Sequence, residues 1–306
     1  MESVDPRIRK IVFVWDPLRG MSGSTLMRVH QASSRIASVF SNLEILVCPI
    51  QHPALSRIRN SIIVLSKSVL LDVESFRQID TRENVLIADY VDGVHQDSID
   101  DYVDGFLCAS YTECSWLKER TPKPSVLVPH AVDSRFDFIR DGFQKSPKFS
   151  CGYFGHLENG IFIDELKKLG LLTHVEDSIT SDAKNETPPW MIQATNCSAH
   201  YIARPTGSLG EVRFKPFTKG FLAAQCDALA IGNRLDLETT YWLGADYPFL
   251  MADETLESAV DGVECCREAW TSGDLAHSRE VSRKNRQISC PVANAKAYGL
   301  AFKVFS

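Results

Sequence analysis

Residues 10–50 read KIVFVWDPLRGMSGSTLMRVHQASSRIASVFSNLEILVCPI. The apolar run 10–15 predicts a buried strand, the Gly/Ser segment after it predicts a loop, and residues 25–40 have the periodicity of an amphipathic helix. The apolar run 43–50 then predicts a second strand. A strand, a helix and another strand in this order are typical of a βαβ unit, whose two strands lie parallel in one sheet.

The same alternation continues along the chain in two series. Strand candidates are SIIVLS (61–66), NVLIADYV (84–91), GFLCAS (105–110) and SVLVPH (125–130), then CGYFGHL (151–157), LLTHVEDS (171–178), AHYIARP (199–205), ALAIG (228–232) and YPFLM (247–251). The polar segment 135–148 contains Gly and Pro and indicates a connector. The sequence therefore predicts an α/β fold with two Rossmann-like domains facing a cleft, over residues 1–140 and 149–275. The sequence of residues 276–306 predicts a helical tail that is interrupted at Pro291. The last helix of this tail can pack back on the first domain.

Composition narrows the classes of function. The chain has 306 residues, 44% of them hydrophobic and 24% charged, and a net charge of −6. A chain with a net negative charge has no overall positive potential that would attract a polyanion, so we expect no nucleic-acid partner. No apolar run approaches the roughly 20 residues of a spanning helix, and we expect a cytoplasmic protein with no transmembrane segment, while peripheral membrane contact stays open. The nine cysteines show no zinc-site spacing.

Ligands in open α/β sheets bind outside the carboxyl ends of the strands, so candidate residues should follow strands. One predicted strand ends at Arg204, and a loop then leads to a helix whose start gathers Arg213, Lys215 and Lys219. Cations at the positive end of a helix dipole are unfavourable unless an anion is bound. A diphosphate would account for the cluster; a solvated basic loop paired with Glu211 is the alternative.

A second candidate group follows the strand 228–232. Glu238 is well placed to accept hydrogen bonds from a ribose diol, and the hydroxyls of Thr239 and Thr240 could donate to phosphate oxygens. The alternative is that Glu238 is a first-turn glutamate favoured by the helix dipole.

The order of these segments resembles that of GT-B glycosyltransferases, especially small bacterial ones. The resemblance covers about residues 10–275 and is carried by GYFG (152–155), the strand ending in Arg204, KPFTKGFLAAQCDALAI (215–231) with the turn that holds Glu238, and, in the first half, IADYVDG (87–93), GFLCASYTECSWLKE (105–119) and VLVPHAVDSRF (126–136). It implies a nucleotide-sugar donor bound mainly by the second domain, a carbohydrate or glycolipid acceptor bound by the first, and no required metal or other cofactor.

By the same resemblance, Arg204, Lys215 and Lys219 would neutralise the donor diphosphate, and Glu238 would hold its ribose. The sequence departs from the pattern of retaining members, which carry a second Glu on the helix where FLAAQ (221–225) stands here. The anomeric outcome therefore stays open.

The loop after the first strand contains Gly20, Ser22, Gly23 and Ser24. The glycines permit close backbone approach, and the hydroxyls can cap a helix or meet an anion. In a GT-B fold this loop would contact the donor phosphates or the acceptor. The run Ser-Gly-Ser-Thr is also similar to the phosphosulfate loop of sulfotransferases, and a plain N-cap is the simplest interpretation.

Candidates for a general base come from the first domain. Asp89 and Asp92 follow the apolar strand residues NVLIA (84–88), and His130 matches the Pro-His of the resemblance; Asp16 is the next residue to consider. His156, in the first loop of the second domain, is a candidate for donor binding. The aspartates between residues 89 and 104 could hold Mg²⁺ or Mn²⁺, although turns and helix caps explain them more simply.

The motifs and the resemblance together predict an enzyme, a glycosyltransferase that moves a sugar from a nucleotide-sugar to a hydroxyl of a carbohydrate or related acceptor without a metal. The first alternative is a sulfotransferase that uses the loop 19–25. The second is a non-catalytic GT-B-like sugar-binding or scaffold subunit, with which the short first domain and the missing second Glu are compatible.

Overall fold

A computed structural model describes residues 10–71, 73–77, 79–136, 145, 147–176, 188–206 and 214–306. A six-stranded sheet forms the first half, with the strand order β2-β1-β3-β4-β5-β6 and parallel pairing throughout. Its strands are β1 (Lys10–Trp15), β2 (Glu44–Pro49), β3 (Ser61–Ser66), β4 (Asn84–Asp89), β5 (Gly105–Cys108) and β6 (Ser125–Leu127).

A five-stranded parallel sheet forms the second half, with the strand order β11-β10-β9-β7-β8. Its strands are β7 (Cys151–Phe154), β8 (His174–Glu176), β9 (Ala199–Tyr201), β10 (Leu229–Asn233) and β11 (Leu250–Met251). Two parallel sheets with helical crossovers confirm the predicted pair of Rossmann-like domains.

The helices lie between and around these strands. In the first half they are α1, which runs through Gly23–Thr25, a π-helical section Leu26–Gln31 and Ala32–Val39, followed by α2 (Asp97–Asp100) and α3 (Tyr111–Arg120). The second half has α4 (Ile163–Lys168), α5 (Pro189–Asn196), α6 (Thr218–Gln225), α7 (Leu237–Leu243) and α8 (Leu256–Ser272), and the chain continues into α9 (Ala276–Ser289) and α10 (Pro291–Phe305). Short 3₁₀ turns occur at Pro17–Arg19, Pro53–Arg57, Val73–Phe76 and Leu157–Asn159. None of the helices described is long and apolar enough to cross a bilayer.

The strand order places a topological switch point in each sheet, between β1 and β3 in the first and between β7 and β9 in the second. Crossovers leave such a point in opposite directions, which opens a crevice at the carboxyl ends of the two strands. The loops after β1, β3, β7 and β9 are therefore the places where each domain can hold a ligand.

Helix α10 packs back on the first domain, as the sequence predicts. Tyr298, Phe302 and Phe305 are buried in the same apolar cluster as Phe13 of β1. On the same buried face, Asn294 Nδ2 donates to the carbonyl oxygen of Pro129 over 2.9 Å. The end of the chain thus supports the segment that follows β6.

A buried ion pair fixes the end of β4. The Arg28 guanidinium, in the π-helical section of α1, donates to both carboxylate oxygens of Asp89 over 2.9 and 3.0 Å and to the carbonyl oxygen of Val128 over 2.6 Å. Burial disfavours a charged guanidinium, but the Asp89 carboxylate more than compensates, and the pKa of Arg28 lies above its ordinary value. One arginine therefore joins α1, β4 and the end of β6 inside the first domain.

We expect Phe302→Ala to lower the free energy of unfolding by about 3–5 kcal/mol, because it removes a fully buried ring of α10 and leaves a cavity. Leu300→Ala, on the exposed face of the same helix, should change it by less than about 0.5 kcal/mol. Chemical denaturation followed by circular dichroism measures both. Equal losses in the two variants would contradict the packing of α10 described here.

Candidate functional site

A cavity of about 390 Å³ lies between the carboxyl edges of the two sheets. The first domain contributes loops that follow β1, β3, β4 and β6, and the second contributes loops that follow β7 and β9 together with the start of α6. The residues that line it include Ser22, Lys67, Asp92 and His130 from the first domain and Gly155, His156, Arg204, Lys215 and Lys219 from the second. Both switch points thus open into one cavity.

The structure brings together nine of the residues that the sequence singles out. They are Ser22, Gly23, Ser24, Asp92, His130, His156, Arg204, Lys215 and Lys219. Six others do not line the cavity: Asp16, Gly20, Asp89, Glu238, Thr239 and Thr240. Arg213 and Glu211 lie outside the described residues.

Among the described cations that line the cavity, Lys219 has the least compensated charge. Its Nζ donates to the hydroxyl oxygen of Tyr153 over 2.6 Å and to the carbonyl oxygen of Asn159 over 3.2 Å, and it lies 4.2 Å from the centre of the Tyr153 ring. All these partners are neutral. Burial, Arg204 and Lys215 hold the pKa of Lys219 well below its ordinary value. No carboxylate of the described chain lies within ion-pairing distance of this ammonium.

A glycine allows the Lys219 side chain to lie close to the loop after β7. Gly155, in the loop after β7, has a φ of 152°, and a Cβ there would lie 2.6 Å from Cε of Lys219. Any other residue would therefore displace the lysine from its position against Tyr153.

Arg204 holds the start of α6 in place. Its guanidinium donates to the carbonyl oxygens of Lys215 and Pro216 over 2.9 and 3.0 Å, while Nε lies 3.7 Å from a carboxylate oxygen of Asp236. The side chain is buried and reaches the cavity wall. Arg204 thus adds positive charge to the site and positions the backbone that carries Lys215.

Asp92 joins the two domains through lysines. Its carboxylate accepts hydrogen bonds from Lys67 of the first domain and, over 2.7 Å, from Lys215 of the second. Burial alone would raise its pKa, but the two ammonium groups lower the pKa of Asp92 to about 2. The carboxylate is therefore ionised at neutral pH and is a weak base.

His130 is buried beneath the same cavity. Burial and the nearby Arg28 guanidinium lower its pKa to about 4, so the ring is neutral at pH 7. Nδ1 lies 3.1 Å from the carbonyl oxygen of Ala131. A carbonyl can only accept, so Nδ1 carries the proton and Nε2 is the basic nitrogen.

The loop before α1 lies at the cavity wall and contains Ser22, the N-cap residue of that helix. Ser22 Oγ accepts from the backbone N–H of Thr25 over 3.1 Å and lies 2.9 Å from Ser24 Oγ. Gly20, with a φ of 73°, ends the preceding 3₁₀ turn away from the cavity. The hydroxyls of Ser22 and Ser24 are therefore the polar groups that this loop offers to a ligand.

Several predicted residues have structural partners outside the cavity instead. Asp89 is paired with Arg28, as described above. Asp16 caps the turn Pro17–Arg19 and accepts from Gln51 over 2.7 Å. The hydroxyls of Thr239 and Thr240 donate to the carboxylate of Asp236 and to backbone carbonyls within α7. These contacts leave the four side chains outside the cavity.

Glu238 makes a contact that the sequence does not reveal. Its carboxylate crosses to the first domain and accepts from the backbone N–H groups of Tyr111 and Thr112, over 3.1 and 3.0 Å, at the start of α3. The Thr112 hydroxyl and the Trp242 indole N–H donate to it as well. Burial raises the pKa of Glu238, against the effect of these donors. Glu238, predicted as a ribose ligand, thus accepts from the first backbone N–H groups of α3 in the other domain.

Aromatic contacts continue this interface. Tyr111 of α3 stacks on Tyr241 of α7 with ring centres 3.7 Å apart. Phe214, just before Lys215, packs 5.2 Å from Trp116 and 6.1 Å from His95 of the first domain. Burial opposes protonation of His95, but hydrogen bonds to Asp100 and Glu113 raise its pKa to about 9. The imidazole of His95 is therefore protonated at neutral pH and lies edge-to-face with the ring of Phe214.

Sequence reasoning missed several residues that line the cavity. Lys67 follows β3 directly, so the strand-end criterion would have found it had it been applied to every strand. Arg135 lies in the segment interpreted as a connector, and Trp190 lies at the start of α5; neither position carries a signal in a single sequence. Glu254, after β11, does not line the cavity but accepts from Asn233 over 2.8 Å at the carboxyl edge of the second sheet.

We expect Glu238→Ala to lower the free energy of unfolding by about 1–3 kcal/mol, because it leaves two partly buried backbone N–H groups at the start of α3 without an acceptor. The exposed first-turn glutamate of α8 provides a matched control, and Glu257→Ala should cost less than about 0.5 kcal/mol. Denaturant titration compares the variants. If the Glu238→Ala protein is as stable as wild type but binds nucleotides weakly, the result would contradict this structural role and support Glu238 as a ligand of the donor ribose.

No protein-family model matches the sequence, and no curated protein sequence does either. Solved structures do match in fold. A glycosyltransferase from Rickettsia africae superposes with a TM-score of 0.67 at 9% identity, over 97% of this chain and 98% of its own. AviGT4, a glycosyltransferase involved in avilamycin A biosynthesis, gives 0.59 at 12% identity over 97% of both chains.

The pneumococcal O-GlcNAc transferase GtfA, solved with UDP and GlcNAc, gives a TM-score of 0.55 at 12% identity over 80% of this chain and 57% of that one. This chain thus spans little more than half the length of GtfA. The identities are low, and the likeness concerns the arrangement of strands and helices. Together with the two parallel sheets, it shows that this chain has the fold of the GT-B glycosyltransferases.

Proposed function

We propose that the protein transfers a sugar from a nucleotide-sugar donor to a hydroxyl of a carbohydrate or glycolipid acceptor without a metal ion. The observation that carries this proposal is the convergence of Arg204, Lys215 and Lys219 on one end of a cavity between two GT-B domains, with Lys219 lacking a counter-charge in the described chain. The fold likeness does not favour the sulfotransferase or the non-catalytic alternative.

The charge of the cavity wall supports an anionic ligand. Five Lys or Arg side chains and two Asp line the cavity, in a chain whose net charge is −6. A cleft with an excess of one sign concentrates ligands of the opposite sign. A nucleoside diphosphate fits this wall. The Lys and Arg side chains would stabilise the negative charge that develops on the diphosphate as it leaves the sugar. The cations would supply the charge that a divalent metal provides in other enzymes.

The proposed reaction joins an acceptor oxygen to the anomeric carbon while the bond from that carbon to the diphosphate breaks. The electron pair of the broken bond leaves with the diphosphate, whose charge Arg204, Lys215 and Lys219 would offset. The acceptor proton needs a base from the first domain. We assign it to Nε2 of His130, because Asp89 is held by Arg28 and the pKa of Asp92 is about 2. Asp92 is the second candidate.

Lys219→Met should weaken binding of both UDP and inorganic pyrophosphate about tenfold or more, because it removes a charge-assisted contact to the diphosphate. Lys167→Met, on the exposed surface of α4, is the matched control and should leave both affinities unchanged. Calorimetry without and with EDTA measures binding, and EDTA should have no effect. Unchanged affinity in Lys219→Met would refute the diphosphate site.

The lowered pKa of Lys219 gives this binding a definite pH dependence. The ligand binds the ammonium form, so affinity should be full below that pKa and fall as the pH rises through it, where an ordinary lysine is still charged. Lys219→Arg should bind without this alkaline loss, because a guanidinium stays charged. A wild-type affinity that is flat up to the ordinary lysine range would contradict the shift.

His130→Gln should lower kcat about a hundredfold or more and leave the donor Kd nearly unchanged, because the donor is held by the other domain. In the wild type, kcat should fall as the pH drops through about 4, where the ring becomes protonated. His156→Gln, on the donor side of the same cavity, should change the donor Kd rather than kcat. If His130→Gln turns over within a few-fold of wild type, Asp92→Asn tests the second candidate.

A further inference from the structure

Helix α10 has two faces of different composition. Its buried face packs on the first domain, whereas Val292, Leu300 and Val304 are 52%, 64% and 57% exposed. Lys296 and Lys303 lie on the same side as these residues, because positions three, four and seven apart share a helix face. The exposed face of α10, defined by these five residues, is therefore an apolar stripe with lysines along it.

The surrounding sequence is strongly basic. Residues 276–306 contain six Lys or Arg and one Glu, in a chain whose net charge is −6. Arg283 and Lys284 share Glu280. For Lys296 and Lys303, the described residues offer no carboxylate within 4 Å. The exposed face of α10 thus carries uncompensated positive charge that is opposite to the balance of the whole chain.

We propose that the exposed face of α10 binds a membrane surface that contains anionic lipids. Leucine and valine side chains would enter the boundary between headgroups and acyl chains, while Lys296 and Lys303 would contact lipid phosphates. A nucleic acid would match the charge but offers nothing to the apolar stripe. A second copy of the same face would set lysines against lysines, which disfavours association.

This face lies close to the cavity. On the other side of α10, Asn294 holds the carbonyl of Pro129, and the next residue, His130, lines the cavity. A helix with its side chains is about 10–12 Å wide, so the membrane face and the first-domain wall of the cavity are separated by about one helix. A protein bound in this way would present its cleft to molecules at the bilayer surface. The inference rests on α10 alone and does not require the proposed reaction.

The test is co-sedimentation of the whole chain with vesicles of phosphatidylcholine alone or with about one third phosphatidylglycerol. We expect partitioning onto the anionic vesicles to be about tenfold stronger or more at low salt, and to weaken as salt screens the lysines. Equal partitioning onto both kinds of vesicle, or none onto either, would overturn the proposal.

Two double variants separate the apolar and the charged contributions. Leu300→Ser with Val304→Ser should lose about tenfold in binding to anionic vesicles, and Lys296→Glu with Lys303→Glu should abolish the preference for them. The matched control is Lys168→Glu with Leu169→Ser at the end of α4, where Leu169 is 59% exposed; it should bind like wild type. All substituted positions lie at the surface, and unchanged thermal melting verifies the fold.

Light scattering without lipid completes the test, with a monomer expected for wild type and variants. A wild-type dimer that the Leu300→Ser, Val304→Ser variant dissociates, with vesicle binding retained, would identify the face as a self-association surface and overturn the proposal. A control variant that loses binding as much as the α10 variants would show unspecific attraction and overturn it as well. Neither result depends on the diphosphate site, so each can be told apart from a failure of the proposed function.

Discussion

The accumulation of positive charge at the start of α6 is the constraint on which the cleft depends. Three cationic side chains converge there, and the described part of the second domain compensates them incompletely. Arg204 donates to backbone carbonyls, Lys219 lies on the ring of Tyr153, and Lys215 reaches the carboxylate of Asp92 in the first domain. Charge balance in the second domain therefore involves the first, and the two sheets face each other across a polar, ionised boundary.

The rest of the interface consists of directional contacts. A helix N-terminus carries partial positive charge and unpaired N–H groups, and at α3 these groups are partly satisfied by Glu238 from the other domain. The stacked rings of Tyr111 and Tyr241 continue the contact, and Phe214 inserts beside Trp116. Hydrogen bonds and stacked rings have narrow geometric optima, so these contacts favour one relative orientation of the sheets.

The sequence predicts the fold well because its determinants are local. Short β-branched runs alternate with amphipathic segments, and the right-handed crossover rule then leaves few arrangements. The strand-end criterion concerns backbone position, and Ser22, His130 and Arg204, which it selected, all line the cavity. The criterion gives no information about a side-chain partner far along the chain. Asp89 is neutralised by an arginine 61 residues away, and Glu238 is bound to amides 126 and 127 residues away.

Such pairings leave no trace in composition or spacing, because a carboxylate that follows a strand looks the same whether it meets a ligand, an arginine or a helix terminus. Only packing distinguishes these cases. The same holds for Arg135 and Trp190, which reach the cavity from a connector and from a helix start.

The bridge from Lys67 through Asp92 to Lys215 means that the cleft contains an anion of its own. A phosphate that takes Lys215 must compete with that carboxylate, so its affinity reports the difference between two anions rather than the full attraction of the lysine. When a phosphate replaces the Asp92 carboxylate at Lys215, the ion pair between the two domains is broken as well. Occupancy at Lys215 and the separation of the sheets are thereby linked through a single carboxylate.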